Sequence, residues 1–110
     1  MANWIVTEIE LTGDRLFLER VEKIINDCNN GPMPDNEADS NWVGNIFSAL
    51  GINAKKWGKR AFWSYAHFNK NGHLVFREES AWSRSICAEV LKQHFSQEIS
   101  GVNYKQMGWY

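Results

Sequence analysis

One short turn constrains the fold of this chain more than any other feature of its sequence. Asn69-Lys70-Asn71-Gly72 separates two segments, 62–68 and 74–79, that are rich in aromatic and aliphatic residues. Asparagine and glycine tolerate the left-handed backbone conformations that tight turns between strands require. The pattern therefore predicts a β-hairpin, and with it an antiparallel sheet.

Which aromatic side chains this hairpin buries depends on the geometry of its turn. A two-residue type I′ turn at Asn71-Gly72 directs one alternate set of side chains toward the core, namely Trp63, Tyr65 and His67. A type I turn that starts at Asn69, with Gly72 left-handed after it, shifts the register by one residue and buries the other set, namely Phe62, Ala66 and Phe68. We favour the second geometry because it gives the more apolar inner face. It predicts that the first set lies on the opposite face of the sheet.

Hydrophobic periodicity predicts the two elements that precede the hairpin. Residues 4–11 alternate with a period of two between a face suited to burial and a more polar face, which is typical of a strand with one buried face. The residues that share this face are Ile5, Thr7, Ile9 and Leu11. Asp14 is a natural N-cap for the helix that follows, and Asn29-Asn30-Gly31-Pro32 is a strong signal for its end.

Two further helices and a last strand complete the pattern. Ser40 can cap a short helix that closes at Gly51, and its apolar stripe is Val43, Ile46, Phe47 and Leu50. We interpret the segment of about 33–51 as an insertion packed on the edge of the domain. Ser83 can cap the last helix, and 98–106 is a weakly patterned final strand.

The order of these elements predicts the fold class. Strand, helix, short helix, strand, strand, helix and strand is an α+β order that is typical of the ferredoxin-like, split βαβ arrangement. In that arrangement a four-stranded antiparallel sheet carries two main helices on one face. No internal repeat or linker divides the chain, so we expect a single ferredoxin-like domain over residues 1–110, with one short inserted helix.

Composition excludes several classes of protein. With 44% hydrophobic and 23% charged residues, the chain is typical of a globular protein rather than of a disordered one. No apolar run approaches the roughly 18 residues that span a bilayer, and the N-terminus lacks the pattern of a signal peptide. We therefore expect a cytoplasmic protein without membrane association, in which Cys28 and Cys87 are buried thiols.

Three short islands of sequence resemble one known family. They are Met1-Ala2-Asn3-Trp4 before the first strand, Lys56-Trp57-Gly58-Lys59 before the hairpin, and Ser80-Ala81-Trp82-Ser83, preceded by Phe76, at the start of the last helix. Together they resemble the YubB-like family of small ferredoxin-like-domain proteins, which are carried on bacterial plasmids, phages and other mobile elements. The chain departs from the family in having Ile5 where a cysteine is common. The resemblance implies the fold and a mobile-element origin, and it implies no activity.

The aromatic residues are the first candidates for a functional surface. Large rings at element boundaries, such as Trp57 and Trp82, commonly seal the ends of a sheet, and this is the simpler interpretation. They can also form an apolar pocket suited to a peptide or a base. On an open sheet face, tyrosine and tryptophan make good anchors for a protein partner. The candidate contact surface is Trp4, Trp57, Trp63, Tyr65 and Trp82.

A cluster of cations around Trp57 supports a second interpretation, the binding of single-stranded nucleic acid. Its members are Lys55, Lys56, Lys59 and Arg60. RNA-recognition modules stack bases on aromatic residues of the central strands, but here Glu8 and Glu10 would lie there and repel phosphate. The net charge of −1 does not favour a polyanionic partner either. A solvated loop, balanced by nearby acidic residues, is the simpler interpretation.

No catalytic or metal-binding pattern stands out. The chain has no nucleophile elbow, no phosphate loop and no dinucleotide-binding fingerprint. His67 and His73 flank the hairpin turn without a third ligand, and Glu78 and Glu79 point to opposite faces of a strand. We therefore expect no enzymatic activity, no metal and no cofactor. The sequence predicts a small protein-interaction or regulatory module, with a single-stranded nucleic-acid binder as the alternative and a homo-oligomer as a third interpretation.

Overall fold

The computed structural model describes residues 4–30, 41–53, 61–81 and 87–109. Its elements are, in chain order, β1 (Trp4–Gly13), α1 (Arg15–Asn30), α2 (Val43–Ala49), β2 (Ala61–Trp63), β3 (His67–Phe68), β4 (Leu74–Ala81), α3 (Cys87–His94) and β5 (Ile99–Trp109). The strands form one open antiparallel sheet in the order β2-β4-β1-β5, and β3 also pairs with β4. Over these residues the fold is α+β, with three helices and with five strands rather than the predicted four.

The fifth strand arises because the predicted strand 62–68 is interrupted. β2 pairs Trp63 with Glu78, whereas β3 pairs His67 with Val75. The edge strand therefore has three residues between these pairs (64–66), whereas β4 has two (76 and 77). One extra residue breaks the ladder at this point, as in a β-bulge, and divides one predicted strand into two.

At the tip of the hairpin, the favoured register is confirmed. Phe68 lies opposite Leu74, and the backbone N–H of Gly72 donates to the carbonyl of Asn69 over 3.0 Å. Gly72 has a φ of 77°, a left-handed conformation that glycine adopts without steric cost. The Asn69 side chain also accepts from the backbone N–H of His73 over 3.0 Å, which fixes the turn.

The extra residue reverses the face on which Trp63 lies. Trp63 is fully buried on the inner face of the sheet. Its ring packs edge-on against Phe47 at 5.8 Å and lies 4.5 Å from Phe76. Its indole N–H donates to the Glu78 carboxylate over 2.9 Å. The prediction that Trp63 belongs to an exposed contact surface is therefore wrong, because the register of the tip does not continue past the break.

The first strand and the first helix match the sequence pattern. The four residues predicted on the inner face of β1 are all buried: Ile5, Thr7, Ile9 and Leu11. The Asp14 carboxylate accepts from the backbone N–H of Phe17 over 2.9 Å, which confirms the predicted N-cap of α1. Helix α1 adds five buried residues to the protein: Phe17, Leu18, Val21, Ile25 and Cys28.

Helix α2 contributes to the main core, although the sequence placed it on an edge. Its predicted stripe is buried throughout and belongs to the same cluster as the sheet residues: Val43, Ile46, Phe47 and Leu50. Gly51 follows in a left-handed conformation, with a φ of 83°, as expected at a helix end. The two residues predicted to cap helices α2 and α3, Ser40 and Ser83, lie outside the described residues.

Both cysteines are buried, as predicted. Burial, together with the nearby Asp27 carboxylate, raises the pKa of the Cys28 thiol. A raised pKa disfavours the reactive thiolate, so Cys28 behaves as a small apolar side chain. None of the described helices is both long and apolar enough to cross a membrane.

Candidate functional site

The structure separates the aromatic residues that the sequence placed on one contact surface. Trp4 is half-buried, and its ring lies 5.9 Å from that of Phe62. Tyr65 is 54% exposed, whereas Trp63 lies in the core. The other predicted members lie outside the described residues: Trp57 and Trp82, and the cations Lys55, Lys56, Lys59 and Arg60. Within the described part of the chain, the predicted surface thus retains Trp4 and Tyr65.

Asparagines at the end of α1 hold the break between β2 and β3. The Asn26 side chain exchanges two hydrogen bonds with the backbone of Ala66, donating over 3.1 Å and accepting over 2.8 Å. Asn29 donates to the carbonyl of Trp63 over 3.0 Å. These amides take the place of a neighbouring strand, because they satisfy backbone groups that an interrupted edge would leave open.

Tyr65 is attached to the same helix end. Its hydroxyl donates to the side chain of Asn30, so this exposed ring is held at the break. The spacing of Asn26, Asn29 and Asn30 places all three on one side of the helix. Asn29 and Asn30 belong to the helix-stop signal in the sequence, and their second role at the break was not predicted. The spacing was the available signal, but the sequence gives no sign of their partners.

The two outer edges of the sheet differ in how they are covered. Along the β2–β3 edge, Trp42 forms an antiparallel bridge with Phe62, and the backbone N–H of Trp63 donates to Asn41 over 3.1 Å. Further along this edge, Asn26 and Asn29 of α1 bind backbone groups of Ala66 and Trp63. At the opposite edge, β5 pairs with β1 and with no other strand among residues 4–30, 41–53, 61–81 and 87–109.

The free edge of β5 has a regular central part. Its register against β1 shifts at two places, because β5 carries one extra residue at Ser100 and another at Met107. Such bulges interrupt a ladder and discourage further pairing near the strand ends. Between them, the stretch 101–106 keeps a regular ladder with β1, and no other described strand pairs with its outer side.

The open face of the sheet carries charges of both signs. Glu8 of β1 lies between Arg77 of β4 and Lys105 of β5, as the direct cross-strand partner of each. Glu79 is exposed on the same face. Opposite charges in such pairs stabilise a sheet by about 0.2–1 kcal/mol each. The described part of this face therefore offers no continuous positive patch for a phosphate backbone.

One carboxylate on the open face has three side-chain neighbours. Glu10 accepts from Asn69 over 2.8 Å and lies 2.9 Å from Nδ1 of His73, while Asn103 donates to its other oxygen over 3.4 Å. These hydrogen bonds hold the pKa of Glu10 below its ordinary value, and the bond to His73 has the largest effect. Partial burial acts in the opposite direction and raises the pKa. Because Asn69 also organises the turn, we interpret the cluster as a clamp between the hairpin and the sheet. No three His, Cys, Asp or Glu side chains in the described residues are grouped so that they could hold a metal ion.

The clamp predicts a pH dependence of stability. A carboxyl group whose pKa is lower in the folded than in the unfolded chain stabilises the native state at pH values above the unfolded-state pKa. This contribution is lost as the pH falls through the folded-state pKa. We therefore expect Glu10→Gln to be less stable than the wild type at pH 7, with a difference that disappears well below the ordinary value of 4.5. Urea unfolding of both proteins across this range measures it. If the difference in unfolding free energy between the wild type and Glu10→Gln stayed the same down to low pH, this result would contradict the clamp.

Two surface features stand out among the described residues, the outer edge of β5 and a nearly neutral open face. Neither carries an arrangement of groups typical of a catalytic centre. Comparison of the chain with protein-family models, with curated proteins and with solved structures returned no match.

Proposed function

We propose that the chain is a small, non-enzymatic protein-interaction module that associates by strand pairing along the outer edge of β5. The observation that carries this proposal is the difference between the two edges of the sheet. Asparagine side chains and Trp42 bind backbone groups along the β2–β3 edge, whereas no described strand pairs with the outer side of 101–106 of β5. A regular open edge is a template for another strand.

The partner that we assign to this edge is a second copy of the chain. The stretch 101–106 has the length of an ordinary paired strand, about five or six residues. In an antiparallel pair with a two-fold axis at Tyr104, Lys105 of each copy would lie opposite Asn103 of the other. No like charges would then meet across the new pair. The edge is in this sense self-complementary.

Sedimentation equilibrium of the whole chain tests this assignment. We expect the apparent mass to approach twice that of one chain as the protein concentration rises. Asn103→Lys should weaken association about tenfold, because it brings two lysines together on each side of the two-fold axis. Within one chain the new lysine would lie beside Glu10 and leave the fold intact.

A matched variant controls for the added charge. Ser96→Lys places the same charge on an exposed residue just after α3 and should associate like the wild type. A wild-type mass equal to one chain at every concentration would refute strand pairing. Equal weakening by both variants would show that net charge, and not the β5 edge, governs association.

Single-stranded nucleic acid remains the competing partner, and the described open face speaks against it. Glu8, Glu10 and Glu79 outnumber Arg77 and Lys105 there. Titration with short DNA and RNA strands, followed by tryptophan fluorescence, separates the two functions. Quenching that weakens steeply with salt would replace our proposal, because it indicates stacking together with phosphate contacts.

We also propose that the fold is a variant of the ferredoxin-like arrangement and that the chain is a cytoplasmic, regulatory protein of a bacterial mobile element. If β2 and β3 are treated as one interrupted strand, the four strands lie across the sheet in the order second, third, first and fourth. This order supports the split βαβ interpretation. The resemblance to the YubB-like family supports the same fold and origin.

A further inference from the structure

A row of polar side chains crosses the inner face of the sheet. Cross-strand pairing aligns one residue from each of four strands, from β2 through β4 and β1 to β5. The members are Trp63, Glu78, Thr7 and Gln106, with Ser80 beside them on the same face of β4. We call these five residues the inner polar row. Toward the hairpin the same face is apolar and carries Ile9, Leu11, Leu74 and Phe76.

The centre of the inner polar row is buried and incompletely hydrogen-bonded. Glu78 is 1% exposed, Thr7 0% and Ser80 2%. In the described part of the chain, neither hydroxyl has a hydrogen-bond partner. No ion pair among the described residues includes Glu78, and its single hydrogen bond comes from the Trp63 indole. Buried polar groups in native proteins are nearly always paired, so this cluster requires an explanation.

The packing around Trp63 fixes the position of the Glu78 carboxylate. Phe47 and Phe76 hold the indole ring, and the indole N–H in turn holds Oε1 of Glu78. Thr7 is the direct cross-strand partner of Glu78, and the Cβ atoms of such pairs lie about 4.5–5.5 Å apart. A rigid set of acceptors of this kind binds a complementary donor without a further cost of ordering.

We propose that the inner polar row binds the ammonium group of a small organic amine. An ammonium group supplies three N–H donors and one positive charge. The row supplies three matching acceptors, which are the Glu78 carboxylate and the hydroxyls of Thr7 and Ser80. Gln106 is the exposed member and marks the end of the row that reaches solvent, at β5. The proposal does not rest on strand pairing, although Gln106 also belongs to the stretch 101–106 of β5.

Thermal unfolding of the whole chain with methylammonium tests the proposal. We expect the unfolding midpoint to rise with methylammonium concentration and to saturate, because a ligand that binds only the native state stabilises it. Tetramethylammonium has the same charge without an N–H donor, and sodium chloride matches the ionic strength. Neither should produce a saturating shift. Equal responses to the three salts, or no response to any of them, would overturn the proposal.

Thr7→Val separates amine binding from folding. Valine keeps the shape of threonine and removes an unpartnered hydroxyl, so the midpoint without amine should equal or exceed that of the wild type. The shift produced by methylammonium should fall by at least half. Ser96→Ala removes an exposed hydroxyl and should keep the full shift. A full shift in Thr7→Val, or a clearly lower midpoint without amine, would show that the hydroxyl serves the fold and not a ligand.

Discussion

Replacement of Trp63 by alanine is expected to lower the free energy of unfolding by about 3–5 kcal/mol, the usual cost of deleting a large buried aromatic side chain. The ring of Trp63 is fully buried against Phe47 and Phe76. Its deletion leaves a cavity and also removes the N–H donor of the buried Glu78 carboxylate. Urea unfolding followed by circular dichroism measures the loss.

One further variant isolates the contribution of the N–H donor, and a control variant changes an exposed ring. Trp63→Phe keeps most ring contacts and removes the N–H donor, so we expect a loss of about 1–3 kcal/mol from the unpaired carboxylate. Tyr65→Phe removes a hydroxyl from an exposed ring and should cost less than about 1 kcal/mol. Near wild-type stability in Trp63→Ala would place the indole outside the core and would restore Trp63 to the contact surface that the sequence predicted.

The hairpin shows where prediction from the sequence stops. The turn at its tip depends on four consecutive residues, and the favoured register is confirmed there because Gly72 must adopt a left-handed conformation. The break further along the same strand depends on Asn26 and Asn29, which lie 40 and 34 residues before their partners in the chain. A local pattern contains no information about such a partner. The sequence pattern therefore could not predict on which face of the sheet Trp63 and the other residues past the break lie.

Glu78 shows the same limit from another side. Alternation correctly places Glu78 and Glu79 on opposite faces of β4, and the structure buries the first and exposes the second. A sequence pattern gives no reason to bury a carboxylate, because this is unfavourable without a partner. The partner is the Trp63 indole, which reaches the inner face only through the unpredicted break. Because the extra residue in the edge strand was not predicted, neither the burial of the Glu78 carboxylate nor its Trp63 donor could be predicted.

The candidate surfaces were harder to predict than the fold. The strand and helix periods place β1 and α1 correctly, because each depends on neighbouring residues. The free edge of β5 depends on which strand ends the sheet and on what covers the other edge. Both are properties of the assembled sheet, and no sequence pattern assigns Trp42 a role in them. The aromatic residues attracted attention, whereas the accessible edge is built from ordinary polar and aliphatic side chains.

Asn26→Ala is expected to lower the free energy of unfolding by about 2–3 kcal/mol. The change removes two hydrogen bonds to the backbone of Ala66 and leaves one N–H and one carbonyl group without their partners. Asn26→Asp keeps the acceptor for the Ala66 N–H and loses the donor, so its cost should be intermediate. Asn30→Ala affects a bond between exposed side chains and should cost less than about 1 kcal/mol.

Amide hydrogen exchange distinguishes a local role of Asn26 from a general loss of stability. If Asn26 closes the β2–β3 edge, the Ala66 amide in Asn26→Ala should exchange much faster than the core amides of β1, because its acceptor is gone while the central ladder remains. Equal acceleration of both sets would mean that α1 stabilises the fold without holding the break. The β2–β3 edge would then be open like that of β5, and the difference between the two edges could no longer single out β5 as the pairing edge.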